Sequence, residues 1–302
     1  MNFLTRLDLL VRVLLAAIAL AIVLPVTGTA REVVQFIANA AVFILFFLNG
    51  LRLPRDEVWA GLSNHRLLWP RTAWVFGVMA LAGWAPWQLG QGWMPPMIAL
   101  GFLYLGCMPS TVQSATAYSS LAQGNVASSV IAAALLNILG VFVSAPLFSL
   151  LGGGGAAEFH ADSLIKVIGM LLVPFIAGQI LQDRLGGWVK GHRALVTGMD
   201  RAAIAIAVYV AFSGAVEQQF WTRIDAAGWL WLMGVTALFV AFGHYGAWLL
   251  GAAVGLDRPN RIRMLFAGAK KSIAMGAPLA PVLFPPAVAG VILLPILLYH
   301  LV

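Results

Sequence analysis

The residues of this sequence best suited to chemistry lie in two short runs. The first, Cys107-Met108-Pro109-Ser110-Thr111-Val112-Gln113-Ser114-Ala115-Thr116, sets a proline before a series of hydroxyl and amide side chains. In the second, Gly268-Ala269-Lys270-Lys271-Ser272, two ammonium groups sit among small residues, and Gly276, Pro278 and Pro281 follow. Proline removes a backbone donor, so both runs read as interrupted helices whose freed amides and carbonyls, with these side chains, can hold an ion or a polar solute. The candidate solute-binding residues are therefore Pro109, Ser110, Thr111, Gln113, Ser114, Thr116, Lys270, Lys271 and Ser272, joined by Asn137 on the stretch that follows the first break. A rival chemistry lies at Ser213 and His244, which suit the nucleophile and base of an intramembrane serine hydrolase, although no acid or oxyanion loop accompanies them. The single cysteine and five scattered histidines show no metal-ligand spacing, so neither a metal nor a cofactor is expected.

The elements that must position these runs are membrane helices. Of 302 residues, 61% are hydrophobic and 10% charged, and the mean hydropathy is +0.92, which excludes an ordinary soluble domain. Each crossing of a bilayer core needs roughly 20 apolar residues, so ten crossings fit this length. The apolar stretches run from Leu9 to Val26, Glu32 to Leu51, Leu67 to Trp84, Met94 to Ser120, Val126 to Leu151, Ser163 to Gln182, Arg201 to Trp221, Ala227 to Val254, Arg261 to Phe284 and Ala287 to Val302. The fold class is thus all-α, polytopic, with the fourth and ninth spans discontinuous. A cleavable leader is the alternative for the first stretch, since Arg6 and Arg12 precede it and Thr27-Gly28-Thr29-Ala30 follows it.

Charge placement orients the chain. With ten crossings and a cytoplasmic amino terminus, one side holds Arg6, Arg12, Arg52, Arg55, Arg66, Arg184, Lys190, Arg193, Arg201, Arg258, Arg261 and Arg263, and the other only Arg31 and Arg223. This is the asymmetry of an inner-membrane protein with both termini in the cytoplasm. The net charge of +7 therefore speaks of topology in a lipid bilayer and not of nucleic acid. Arg71 and Lys166, near span ends, are expected to snorkel to the interface. The two breaks occupy the fourth position of each set of five spans. That pattern implies inverted repeats, 1–151 and 163–302, joined by a glycine-rich outer linker at 152–162.

The run Cys107-Met108-Pro109-Ser110-Thr111-Val112-Gln113-Ser114, with Ala122-Gln123-Gly124-Asn125-Val126-Ala127 after it, resembles the first crossing helix and following turn of the sodium/bile acid symporter family. Phe46-Phe47-Leu48-Asn49-Gly50-Leu51 and Asn64-His65-Arg66-Leu67 resemble a bacterial subgroup of it. The likeness covers essentially the whole chain. It implies a panel domain (spans one, two, six, seven) facing a core domain (three to five, eight to ten), and cotransport of an organic anion with sodium. The family's ion-site positions fall on Ser114, Thr116, Ser129, Phe266 and Lys270. Only some of these match: Ser129 keeps the family hydroxyl, Ala133 does not, and the sodium-binding glutamate is replaced by Phe266 and two amides by Lys270 and Lys271.

An ammonium repels a hard cation and competes for the same oxygens, so the usual sodium sites do not survive these replacements. The coupling ion is then sodium as in the family, a proton, or none. One lysine is expected to point into the crossing, with Lys270 favoured, and to stand in place of sodium while helix amino termini and the lysine attract an organic anion. The alternative is a structural lysine capping carbonyls at the break. The functional readings are a secondary transporter of an amphipathic carboxylate or sulfate working by alternating access, the hydrolase above, or a channel or receptor on a transporter scaffold.

Overall fold

The computed structural model describes residues 9–52, 65–124, 126–152, 165, 168–219 and 224–301. Among them there are helices and turns and no strand, as expected where lipid offers backbone groups no hydrogen bonds. The helices are α1 (Leu9–Val23), α2 (Gly28–Arg52), α3 (His65–Thr72), α4 (Met79–Leu89), α5 (Pro96–Cys107), α6 (Val112–Leu121), α7 (Val126–Gly152), α8 (Val173–Gly191), α9 (Arg193–Glu217), α10 (Ala226–Ala253), α11 (Arg258–Ala269), α12 (Ile273–Leu283), α13 (Pro286–Ile292) and α14 (Leu294–Leu301). Wider π-helical turns, Ala73–Val78 and Ile168–Leu172, lead into α4 and α8. Five continuous helical stretches among the described residues are long and apolar enough to cross a bilayer by themselves: Gly28–Arg52, Ala132–Gly152, Ile168–Gly191, Arg193–Glu217 and Ala226–Ala253. Most of the other expected spans are assembled from shorter helices. The second begins at Gly28, four residues before its apolar stretch, because a helix accepts the polar Arg31 and Glu32 once Glu217 pairs with Arg31. Of the glycine-rich linker expected at 152–162, Gly152 closes α7 and 153–162 lie outside the described residues.

Two sets of helix contacts, joined through α9, build the fold. In the first, α2 lies along α8, and α9 lies along α1 and α2. Gly50 and Gly178 set the α2–α8 distance: a Cβ on Gly50 would collide with the Phe175 carbonyl, and one on Gly178 with that of Phe47. In the second group α4 packs on α5, α6 on α7 and α10 on α11, with α13 and α14 against α5. Tyr104, Phe148 and Phe284 stand edge to face at 5.3–5.6 Å in its centre. The groups meet where α9 runs along α12 and α13 and Gly214 lies directly against Pro286. Many apolar side chains, among them Phe36, Leu150, Leu238 and Tyr245, face outward, the surface that hydrocarbon tails require.

Candidate functional site

Both expected interruptions are present. Helix α5 ends where Pro109 can supply no donor, and the backbone is extended at Met108 (φ −74°, ψ 148°) and Thr111 (φ −87°, ψ 136°) before α6 starts. Helix α11 ends at Ala269, the backbone is extended at Lys270 (φ −64°, ψ 135°), and α12 starts after Ser272, whose hydroxyl accepts from the Met275 N–H. The two extended stretches touch: the Ser272 N–H donates to the Pro109 carbonyl at 2.8 Å. Behind them, Asn137 donates its amide to the carbonyls of Ser110 (2.6 Å) and Ala133 (2.9 Å), holding the first stretch to α7. Gly140 allows this approach, since a Cβ there would stand 2.6 Å from Pro109 Cγ.

A broken helix leaves carbonyls unsatisfied at the end of its first half. For α5 the donor is Lys271. Its Nζ donates to the carbonyls of Gly106 and Met108, both at 2.8 Å, and to Val75 in the π-helical turn at 3.0 Å. For α11 it is the Tyr299 hydroxyl, 2.6 Å from the Ala269 carbonyl. Tyr104 ties the two breaks further by donating to the Gly276 carbonyl at 2.7 Å. Lys271 is 1% exposed, so its charge is held at the negative end of α5 and away from water.

The expectation that Lys270 is the inward lysine is corrected: Lys271 enters the crossing. Lys270 turns to α6, where its ammonium lies 4.8 Å from the centre of the Tyr118 ring. That ring stacks on Phe266 at 5.6 Å, and His244 meets Phe266 edge-on. The family's sodium-site glutamate position is therefore filled by an aromatic contact. Arg71 does not snorkel. It is 1% exposed, near Arg263, and both guanidiniums keep Nε and Nη2 without a hydrogen-bond partner.

The positive, amino-terminal ends of α6 and α12 face a cavity of about 380 Å³ between the two helix groups. Its polar lining is Asn49, Arg52, Thr111, Asn137, Asp200 and Ser272, and Phe46, Val141, Phe175 and Met275 are among its apolar walls. Thr111, Asn137 and Ser272 were legible as candidates. Pro109 and Ser110 form the break itself, with the Ser110 hydroxyl buried and unpartnered. The side chains of Gln113, Ser114, Thr116 and Ser129 lie outside the described residues. Asn49, a buried amide that from the sequence reads first as interhelical glue, lines the cavity too; Arg52 and Asp200, paired at 2.5 Å, escaped the sequence reading because they sit at span ends, where charge reads as orientation. A larger cavity of about 470 Å³ between α4 and α10 is lined by Trp93, Trp231, Phe239, Phe242 and other apolar side chains, and suits lipid better than a polar solute.

The hydrolase dyad is not formed. The Ser213 hydroxyl is buried without a hydrogen-bond partner, while His244 Nδ1 is spent on the Val240 carbonyl at 2.8 Å.

Comparison with known proteins gives the family. A model of the SBF-like CPA transporter family matches residues 8–302. An uncharacterised protein of Pseudomonas aeruginosa is 36% identical over 291 residues, 95% of this chain and 86% of its own length. A protein of Escherichia coli named as a symporter is 32% identical over 296 residues, again 95% and 86%. Sodium/bile acid cotransporter 7 of Rattus norvegicus is 23% identical over 288 residues, 87% of this chain and 78% of the relative.

Proposed function

Because this chain belongs to the SBF-like CPA transporter family, we propose that it carries an organic anion across the inner membrane by alternating access, with Lys271 in place of a bound sodium ion. It is a multi-pass membrane transporter and not an enzyme. The observation that carries the reading is the cavity floored by two helix amino termini, with three carbonyls at the crossing already occupied by an ammonium. Backbone carbonyls of an unwound segment are the usual ligands of a transported cation. Here a tethered ammonium fills them in place of a transported ion. That charge and the amino-terminal ends of α6 and α12 favour a carboxylate or sulfate, and the apolar walls favour an amphipathic one.

In this reading α1, α2, α8 and α9 form the panel and the remaining helices the core, a division supported by their packing. The matched breaks support inverted repeats at 1–151 and 163–302, and ten crossings with both termini cytoplasmic follow from the charge asymmetry. The cavity then opens on the cytoplasmic side, where Arg52 and Asp200 lie. The test is uptake of labelled cholate by proteoliposomes, in sodium and in potassium. Saturable uptake of equal rate in the two salts is expected. Uptake that requires sodium overturns the tethered-cation mechanism, and unsaturable flux overturns the carrier.

A further inference from the structure

The Arg52–Asp200 pair has no part in the mechanism above. Arg52 closes α2, Asp200 lies near the start of α9, and both line the cavity with Thr111, Asn137 and Ser272. They meet through one nitrogen and one oxygen, Arg52 Nη1 to Asp200 Oδ2 at 2.5 Å, with Asn49 Oδ1 3.5 Å from the same nitrogen. Arg52 Nη2 and Asp200 Oδ1 are buried and have no hydrogen-bond partner among the described residues. A guanidinium and a carboxylate bind most strongly through two parallel bonds. This pair makes one, and leaves a donor and an acceptor over in a cavity built for a solute. We propose that Arg52 takes the anionic group of the transported solute, and that Asp200 holds its place in the empty carrier and takes up one proton when displaced. The proposal rests on the transport reading and supplies its coupling ion.

The charge balance requires the proton. Arg52⁺ paired with Asp200⁻ binds a solute anion and a proton to give Arg52⁺ paired with the anion, and a neutral Asp200 carboxyl. Without the proton, a carboxylate in the cavity wall would lose its guanidinium and keep its charge, a costly state. Other charges do not relieve it. Of the helices packed on α9, α1 carries Arg12, which is exposed, and α8 carries Asp183, Arg184 and Lys190, none of which acts on Asp200. Helices α12 and α13 carry no ionisable side chain, and on α2 Arg31 is engaged with Glu217 at the far end of α9 while its neighbour Glu32 is exposed. Only Arg52 and the half-exposed Arg201, next in the chain, act on Asp200. Lys271 has already removed the need for sodium, so a proton entering with each anion makes the step electroneutral.

The experiment uses the full-length protein in proteoliposomes with labelled cholate as the probe, and thermal stabilisation by cholate as a separate measure of binding. An acid-outside gradient of about two pH units is expected to raise accumulation roughly tenfold or more, and cholate binding to weaken up to about tenfold per unit as pH rises. Arg52→Gln should lose binding about tenfold or more, and Arg52→Lys should keep part of it, since a point charge replaces the fork. Asp200→Asn should bind with no pH dependence and lose its response to the gradient. The exchange is overturned if Arg52→Gln binds as wild type, if Asp200→Asn still accumulates cholate under the gradient, or if a sodium gradient drives wild-type accumulation. A wild-type protein that neither binds nor moves cholate overturns the transport reading itself, whereas one that moves it without these responses overturns only the exchange.

Discussion

Lys271 shows how a single side chain decides the chemistry of a site. Three backbone carbonyls converge within 3.0 Å of its nitrogen, and removing that nitrogen takes a buried donor from all three. Lys271→Met should therefore lower stability by about 2–4 kcal/mol, read as a fall in melting temperature in detergent. The neighbouring Lys270, which only rests over Tyr118, should cost about 1 kcal/mol when replaced by Gln. Equal losses at the two positions would contradict the assignment of the crossing to Lys271. Two adjacent lysines were legible as unusual in a span; which of them turned inward was not. Both lysines lie in the extended stretch past α11, where neighbouring side chains point to opposite sides, and which side faces the break depends on how α11 packs against α3, α6, α10 and the Ala73–Val78 turn.

At the scale of elements, the breaks depend on close backbone approach. Helix α7 comes near enough to brace Pro109 only because position 140 has no side chain. Gly140→Val should push Pro109 away, weaken the Asn137 to Ser110 bond and cost about 1–3 kcal/mol, with binding of cholate lost more than melting temperature. A variant that keeps full binding would separate the shape of the break from its function. Proline and clustered hydroxyls were enough to locate the interruption between α5 and α6, and glycine and lysine the one between α11 and α12. Their joining through Ser272 and Pro109 was not legible, because that bond spans 163 positions of chain.

The whole molecule places the cavity where α1, α2, α8 and α9 meet the two breaks, with Arg52 of α2 and Asp200 of α9 in its wall. A cysteine at Asn49 should react with a membrane-impermeant maleimide in inside-out vesicles, be shielded there by cholate, and react far less in right-side-out vesicles. The native Cys107 is buried and should stay silent. Labelling from the opposite face would reverse the proposed orientation of the chain.

Composition alone dictated a helical membrane protein, and residue types located two interruptions, because hydropathy and proline act through local backbone physics. Tertiary structure alone decided the rest: Lys271 on its carbonyls, Tyr299 on the end of α11, and Arg52 with Asp200 in the cavity wall. Each of these contacts joins helices far apart in the chain. Their partners were chosen by three-dimensional packing and by the need to satisfy buried polar groups, which no local pattern encodes.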